Sequence, residues 1–254
     1  MMDGVFYTDR GKVRPHNEDS GGLYQNKSGQ YLAVIADGMG GHKAGDVASN
    51  MATQMLQEKW QACVTIETPE QAEKWLVQML DHINAAIYQL AQEKTECTGM
   101  GTTVVIALFA DEFFTVAHIG DSRCYKYQNA TLSQITNDHS LVNELVRSGE
   151  ITKKDAKHHP QKNVVLKALG TQPQVGADVQ SLSWDQEAIV LLCSDGLTDK
   201  VDDDDLINHL SQDVDISMIG KQLVDLANER GGEDNVSLVI MKHPIHEEKG
   251  EASC

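Results

Sequence analysis

The chain has 254 residues, 41% of them hydrophobic and 23% charged, which is the balance of an ordinary globular protein with length enough for one large core. Its formal net charge of -17 repels polyanions, which argues against nucleic acid or an anionic membrane as main partner while leaving room for cation sites. There is no apolar run of the length a secretory leader or membrane span needs, and the five cysteines (Cys63, Cys97, Cys124, Cys193 and Cys254) are widely spaced without C-x-x-C, so reduced thiols in a cytoplasmic protein are expected.

Residues 4–8 read as a first strand. The polar stretch GKVRPHNEDSGG follows, carrying Arg14, Asn17, Glu18 and Asp19; taken alone, HNEDS reads as a solvated loop. Runs 22–26 and 31–36 flank the turn-like NKSG and predict a hairpin. The second run ends on Asp37-Gly38, and Gly38, Gly40 and Gly41 leave a backbone that a ligand can approach closely. Apolar spacing predicts a helix over about 43–60 that buries Val47, Ala48, Met51 and Met55. A second, over about 70–93, carries Leu76, Met79, Leu80, Ile83, Ile87 and Leu90 on one face. Strand, glycine loop and helix in this order also suit a dinucleotide loop, but Lys43 fills the last position of G-x-G-x-x-G and Asp37 would face the pyrophosphate.

From Gly101 to Ile135 the runs TTVVIALFA, FFTVAHIG, RCYKY and TLSQI predict an antiparallel meander, with Gly120-Asp121-Ser122 between the second and third. Residues 138–162 form a polar insertion with a helix over 140–147 and a His-His-Pro break, read as a flap over one face; His158 and His159 lack a third ligand nearby. Strands return at 175–183 and 188–193, where AIVLLC breaks into Ser194-Asp195-Gly196. Helices over about 203–210 and 215–229 follow, the acidic run Asp202 to Asp205 suiting a helix start. Gly231-Gly232-Glu233-Asp234-Asn235 then introduces a strand over 236–241. A single domain over 1–242 and a short charged tail over 243–254 are expected.

Asp37, Asp121, Asp195 and Asp234 each sit where an apolar strand meets a turn, and Asp19 lies in a polar loop five residues after Arg14. If the strand ends of one sheet layer bring these carboxylates together, they need a cation to neutralise them. Oxygen ligands without His or Cys point to Mg²⁺ or Mn²⁺, with the Gly38 carbonyl also free to coordinate. Two such ions about 3.5–4 Å apart would turn a bridging water into a nucleophile, and Arg14 could hold phosphate oxygens in a bidentate fork. No cysteine has an arginine six residues later, and H-E-x-x-H, G-x-S-x-G and a Walker loop are absent.

R-x-x-N-E-D at 14–19, DGMGGH at 37–42, GMGTT at 99–103, HIGDSR at 118–123, SDGL at 194–197 and GGEDN at 231–235 form an ordered set that resembles the metal-dependent protein phosphatases of type 2C, most closely their bacterial PrpC-like serine/threonine members. The resemblance covers about residues 4–241. It implies an α+β fold, a four-layer αββα sandwich of two antiparallel sheets flanked by helices, and hydrolysis of phosphoserine and phosphothreonine by metal-activated water. It implies that Asp37 bridges two Mn²⁺ or Mg²⁺ ions and that the Gly38 carbonyl joins the second. Asp195 and Asp234 would complete the first site, Asp19, with Glu18 beside it, would lie on the second, and Asp121 would hold a third, weaker ion. Arg14 would bind the substrate phosphate. Eukaryotic members place a histidine after the D-G pair as acid to the leaving alcohol; Met39 stands there here, leaving His42 or a metal-bound water. The flap at about 147–165 matches a variable, substrate-contacting segment. Phosphorylated proteins and an opposing bacterial serine/threonine kinase are the implied partners, and a monomer is expected.

Overall fold

The computed structural model describes residues 3–40 and 44–243. Its strands, in chain order, are β1 (Asp3–Asp9), β2 (Asp19–Gln25), β3 (Tyr31–Met39), β4 (Gly101–Thr102), β5 (Val104–Phe109), β6 (Phe113–Ile119), β7 (Arg123–Gln128), β8 (Thr131–Gln134), β9 (Asp178–Ser183), β10 (Ile189–Cys193) and β11 (Val236–Lys242). The helices are α1 (Ala44–Ala62), α2 (Pro69–Glu93), α3 (Leu141–Arg147), α4 (Lys153–Ala156), α5 (Asp195–Thr198), α6 (Asp203–Leu210) and α7 (Ile216–Glu229). One sheet runs β1-β11-β10-β7-β8; the other runs β2-β3-β5-β6-β9, with β4 added against β3. All of the strand pairs are antiparallel.

Alternation along the strands sorts the apolar side chains into three layers. Ala33 and Ile35 of β3 face Val190, Leu192, Val239 and Met241 of the other sheet. Their neighbours Leu32 and Val34 point the opposite way, onto α1 and α2. On the far side, Leu191, Cys193, Leu238 and Ile240 pack against Ile216, Ile219 and Leu223 of α7. The result is the expected αββα sandwich. Burial on both faces explains why 31–36 reads as a continuous apolar run.

The 101–135 region is not one meander. β5 pairs with β6 in the larger sheet and β7 with β8 in the smaller, so the chain changes sheets at Gly120-Asp121-Ser122. β2 begins at Asp19, earlier than expected, so Asp19-Ser20 of HNEDS is strand, not solvated loop. The buried face of α1 is Ala44, Gly45, Ala48, Ser49, Ala52, Thr53, Leu56 and Trp60; Val47 is exposed, and Met51 and Met55 sit at the edge. Small side chains let this helix lie close on β3, so its phase follows size as well as hydropathy.

Asp202 caps α6 in a capping box with Asp205, as the acidic run suggests. The helices of the insertion, α3 and α4, bury none of their residues. Lys162 ties it to the body through an ion pair with Asp199 at the end of α5. His243, expected in the tail, is buried, with its ring 5.1 Å from that of Trp184; residues 244–254 lie outside the described residues. Among the described residues no helix is long and apolar enough to cross a membrane.

Candidate metal centre

β2 and β3 pair so that Asp19 stands opposite Asp37. From the other sheet, β10 ends at Cys193, and Ser194 then caps the short α5 headed by Asp195. Asp234 lies two residues before β11 begins. The acids are therefore supplied by both sheets, not by the strand ends of one layer, and Asp121 joins them from the turn where the chain crosses between sheets.

Their mutual influence shows in their protonation. Burial, helped by the charges of Asp195 and Asp234, pushes the Asp19 carboxyl up to about 7 against the hydrogen bonds of Ser237 and Ser194, which lower it. Asp37 is held well above the carboxylate range by burial and then by the charges of Asp19, Asp195, Asp121 and Asp234. Burial followed by Asp195 takes Asp121 to about 7, and burial followed by Asp234 takes Asp195 to about 6, against a hydrogen bond from Asp37. Glu18 is also raised, chiefly by burial. Carboxyls that crowd one another in this way favour the binding of a cation.

Neighbouring polar groups fix the acids in place. Ser194 donates to Asp19 at 2.8 Å and accepts from the Ser237 N–H at 3.0 Å. Asn235 accepts the Glu18 N–H at 2.8 Å and donates to the carbonyls of Arg10 and His16. The Asp37 peptide is held by Thr103, whose hydroxyl accepts its N–H at 3.1 Å and whose own N–H donates to its carbonyl at 2.9 Å. Gly38 admits no side chain, since a Cβ would lie 2.2 Å from the Gly45 carbonyl oxygen and 2.6 Å from that of Glu18. Gly45 of α1 thus packs directly on the Asp37-Gly38 peptide. Arg14 reaches Asp234 at 2.7 Å, with about half of its side chain exposed.

The donor set suits hard divalent ions, being carboxylates and a backbone carbonyl, with neither sulfur nor imidazole among them. Asp195 adds an independent sign: its buried Oδ1 has no hydrogen-bond partner in the protein. His42 lies outside the described residues. The strand-loop-helix order at 31–46 is not a dinucleotide unit, because β3 is antiparallel to both β2 and β5 where that unit needs parallel strands.

Another cluster was not anticipated. Among the described residues, the one group of three metal-capable side chains whose ligand atoms all lie within 4.8 Å of one another is His118, His139 and Asp178. The imidazoles of the two histidines stack with centroids 4.7 Å apart. His139 Nδ1 accepts the Gly120 N–H at 3.1 Å, so the proton of the neutral ring is on Nε2, 3.4 Å from Asp178, and no lone pair is left there for a cation. No three of the candidate acids approach one another as closely as this cluster does.

A family model described as Protein phosphatase 2C matches residues 11–234. The chain belongs to the protein phosphatase 2C family. Among its relatives, the serine/threonine phosphatase Stp of Listeria welshimeri is 42% identical over 252 residues, covering 99% of this chain and all of that one. The fold superimposes on the crystal structure of the serine/threonine phosphatase Stp1 from Staphylococcus aureus with a TM-score of 0.92, at 42% identity, over 95% of each chain. A second solved structure, the PstP catalytic domain in complex with two manganese ions, gives a TM-score of 0.83 at 32% identity over 95% of this chain and 97% of that one. The six motifs in order, which identify the 2C family from sequence, thus coincide with one matched fold.

Ser194, Ser122, Thr103 and Asn235 all lie inside those motifs, yet nothing in their spacing announces what they hold. Asp46, whose charge raises Glu18, carries no sequence signal beyond its place in the first turn of α1.

Proposed function

We propose that this 2C phosphatase hydrolyses phosphoserine and phosphothreonine in proteins at a dinuclear Mn²⁺ or Mg²⁺ centre built on Asp37. The observation that carries this reading is the gathering of Asp19, Asp37, Asp121, Asp195 and Asp234 from two sheets into one region, where the other four raise the proton affinity of Asp37 and one buried oxygen of Asp195 is left unpartnered. Asp37 would bridge the ions, with Asp195 and Asp234 on the first and the Gly38 carbonyl on the second. Asp19 and Glu18 would lie beside the second, and Asp121 would hold a third. Ions held there would neutralise the clustered carboxylates and lower the pKa of a water enough to make it a nucleophile toward phosphorus.

The chain's own groups do the rest. Arg14 can exchange its exposed contact with Asp234 for two phosphate oxygens, which sets the phosphoryl group in line. Ser194 and Thr103 keep Asp19 and Asp37 from swinging away as charge develops. Met39 has no proton to give the leaving alcohol, so the acid is His42 or a water. The substrates would be phosphoproteins made by a serine/threonine kinase that this enzyme opposes.

The test is hydrolysis of p-nitrophenyl phosphate and a phosphothreonine peptide with Mn²⁺ and with EDTA. Turnover with Mn²⁺ that EDTA abolishes, and that Asp37→Ala lacks while still folded, is expected. Metal-independent turnover, or a near-normal rate in Asp37→Ala, would defeat the mechanism.

A further inference from the structure

We infer that His139 is a positioning residue for Asp121, gripping the preceding Gly120 peptide by both of its polar groups. The inference rests on the reading of Asp121 as a metal ligand.

The turn at Gly120 is a demanding one. Gly120 has φ +109°, and a Cβ there would lie 2.6 Å from the Cβ of Thr103, so only glycine fits. A glycine turn is also the least constrained kind of backbone, and something else must hold it. His139 does so twice: its Nδ1 accepts the Gly120 N–H at 3.1 Å, and its own N–H donates to the Gly120 carbonyl at 2.9 Å. On the other side of Asp121, the Ser122 hydroxyl pairs at 2.7 Å with that of Thr103, which carries the Asp37 N–H. Asp121 is thus suspended between His139 and the peptide of Asp37.

The imidazole is itself fixed. Its side chain is nine-tenths buried, it stacks on His118, and His118 Nε2 lies 2.9 Å from the Asn137 carbonyl oxygen. Burial, followed by the charges of His118 and Lys167, lowers the His139 pKa and keeps the ring neutral, which leaves Nδ1 free to accept. The same residue roots the flap: its carbonyl accepts the Leu166 N–H at 2.7 Å, and Ser140 bridges to Val165. Displacement of the flap root would therefore reach Asp121 through a single residue, by its ring and by its backbone N–H.

The experiment uses the full chain with His139→Ala, His139→Asn, Asp121→Ala and the His139→Ala/Asp121→Ala double variant. Asn places an oxygen close to where Nδ1 stands and restores the acceptor. Two readouts are independent of turnover: Mn²⁺ binding followed by electron paramagnetic resonance, and exchange protection of the Gly120 amide by NMR. Loss of one hydrogen bond predicts about tenfold weaker binding of the weakest class of Mn²⁺ in His139→Ala, with the tighter ions unaffected. Gly120 protection should fall by a similar factor, His139→Asn should recover both, and the double variant should bind no more weakly than Asp121→Ala alone. If His139→Ala does not fold, His139→Met replaces it, keeping volume without a comparable acceptor. Wild-type Mn²⁺ binding by His139→Ala or His139→Met, alongside loss of the weakest class in Asp121→Ala, would overturn the positioning role and leave Asp121 as a ligand. Wild-type binding by Asp121→Ala would overturn both.

Discussion

The guanidinium of Arg14 lies 2.7 Å from the carboxylate of Asp234, joining the loop after β1 to the loop before β11. The contact is half-exposed, so it adds only about 0–1 kcal/mol to stability. In the proposed reaction it would keep a phosphate-binding fork at the mouth of the acidic site. Arg14→Ala should therefore leave the melting temperature almost unchanged while lowering kcat/KM on a phosphopeptide by about tenfold to a hundredfold. Steady-state kinetics and a thermal melt on the same preparation check this; a large loss of stability with unchanged kinetics would contradict it.

Asp37 is the most crowded of the acids, with four other carboxylates raising it. Asp37→Asn removes one charge and keeps the shape. The expected outcome is a loss of about a thousandfold in kcat with Mn²⁺, from the several kcal/mol that metal activation supplies. The same variant should melt higher than the wild type in EDTA at pH 8, because the remaining acids repel one another less. A wild-type melting temperature there would argue that the carboxylates are not electrostatically coupled.

The metal-free protein should lose stability as pH rises. In the unfolded chain these carboxyls titrate near 4, whereas in the folded state Asp19 and Asp121 titrate at about 7 and Asp195 at about 6. Between those values the folded state holds more protons than the unfolded state, so its stability is full below pH 4 as far as these groups are concerned and declines toward pH 7. Melting temperatures in EDTA should fall from pH 5 to pH 8, by about 2–4 °C per kcal/mol for a chain of this size. Saturating Mg²⁺ should flatten or reverse the trend. A flat profile in EDTA would show that the acids titrate normally.

Gly38→Ala tests the packing behind the site. A Cβ there meets backbone oxygens at 2.2 and 2.6 Å, neither of which can move without shifting α1 or β2. Overpacking of this kind costs about 1–3 kcal/mol. Activity should drop more steeply than stability, since the displaced peptide carries both Asp37 and the Gly38 carbonyl. A combined melt and Mn²⁺ titration would separate the two effects.

Much of this arrangement was legible in the sequence. The αββα layers are what the resemblance to the 2C phosphatases implies, and the apolar runs and two pairs of amphipathic helices agree with them; Asp37, Asp121, Asp195 and Asp234 stand out because each lies where such a run meets a turn. What stayed hidden depends on partners distant in sequence. Nothing in FFTVAHIG or RCYKY states that the two strands enter different sheets, since each run would suit either. The face of α1 was misjudged because Gly45, Ala48 and Ala52 are buried for their small size, while the larger Val47 points outward. His118, His139 and Asp178 come from three segments, and ordinary polar residues carry no periodic signal that would join them.

The crossing of the chain between sheets at Gly120-Asp121-Ser122 has a consequence for biosynthesis. Asp19 and Asp37 emerge from the ribosome early, Asp195 and Asp234 only near the close of translation, and neither half of the acid set is of use alone. If the acids act together as proposed, a nascent chain would be chemically inert toward phosphoproteins until the second sheet has docked on the first, and the catalytic centre would come into being only as the tertiary structure is completed.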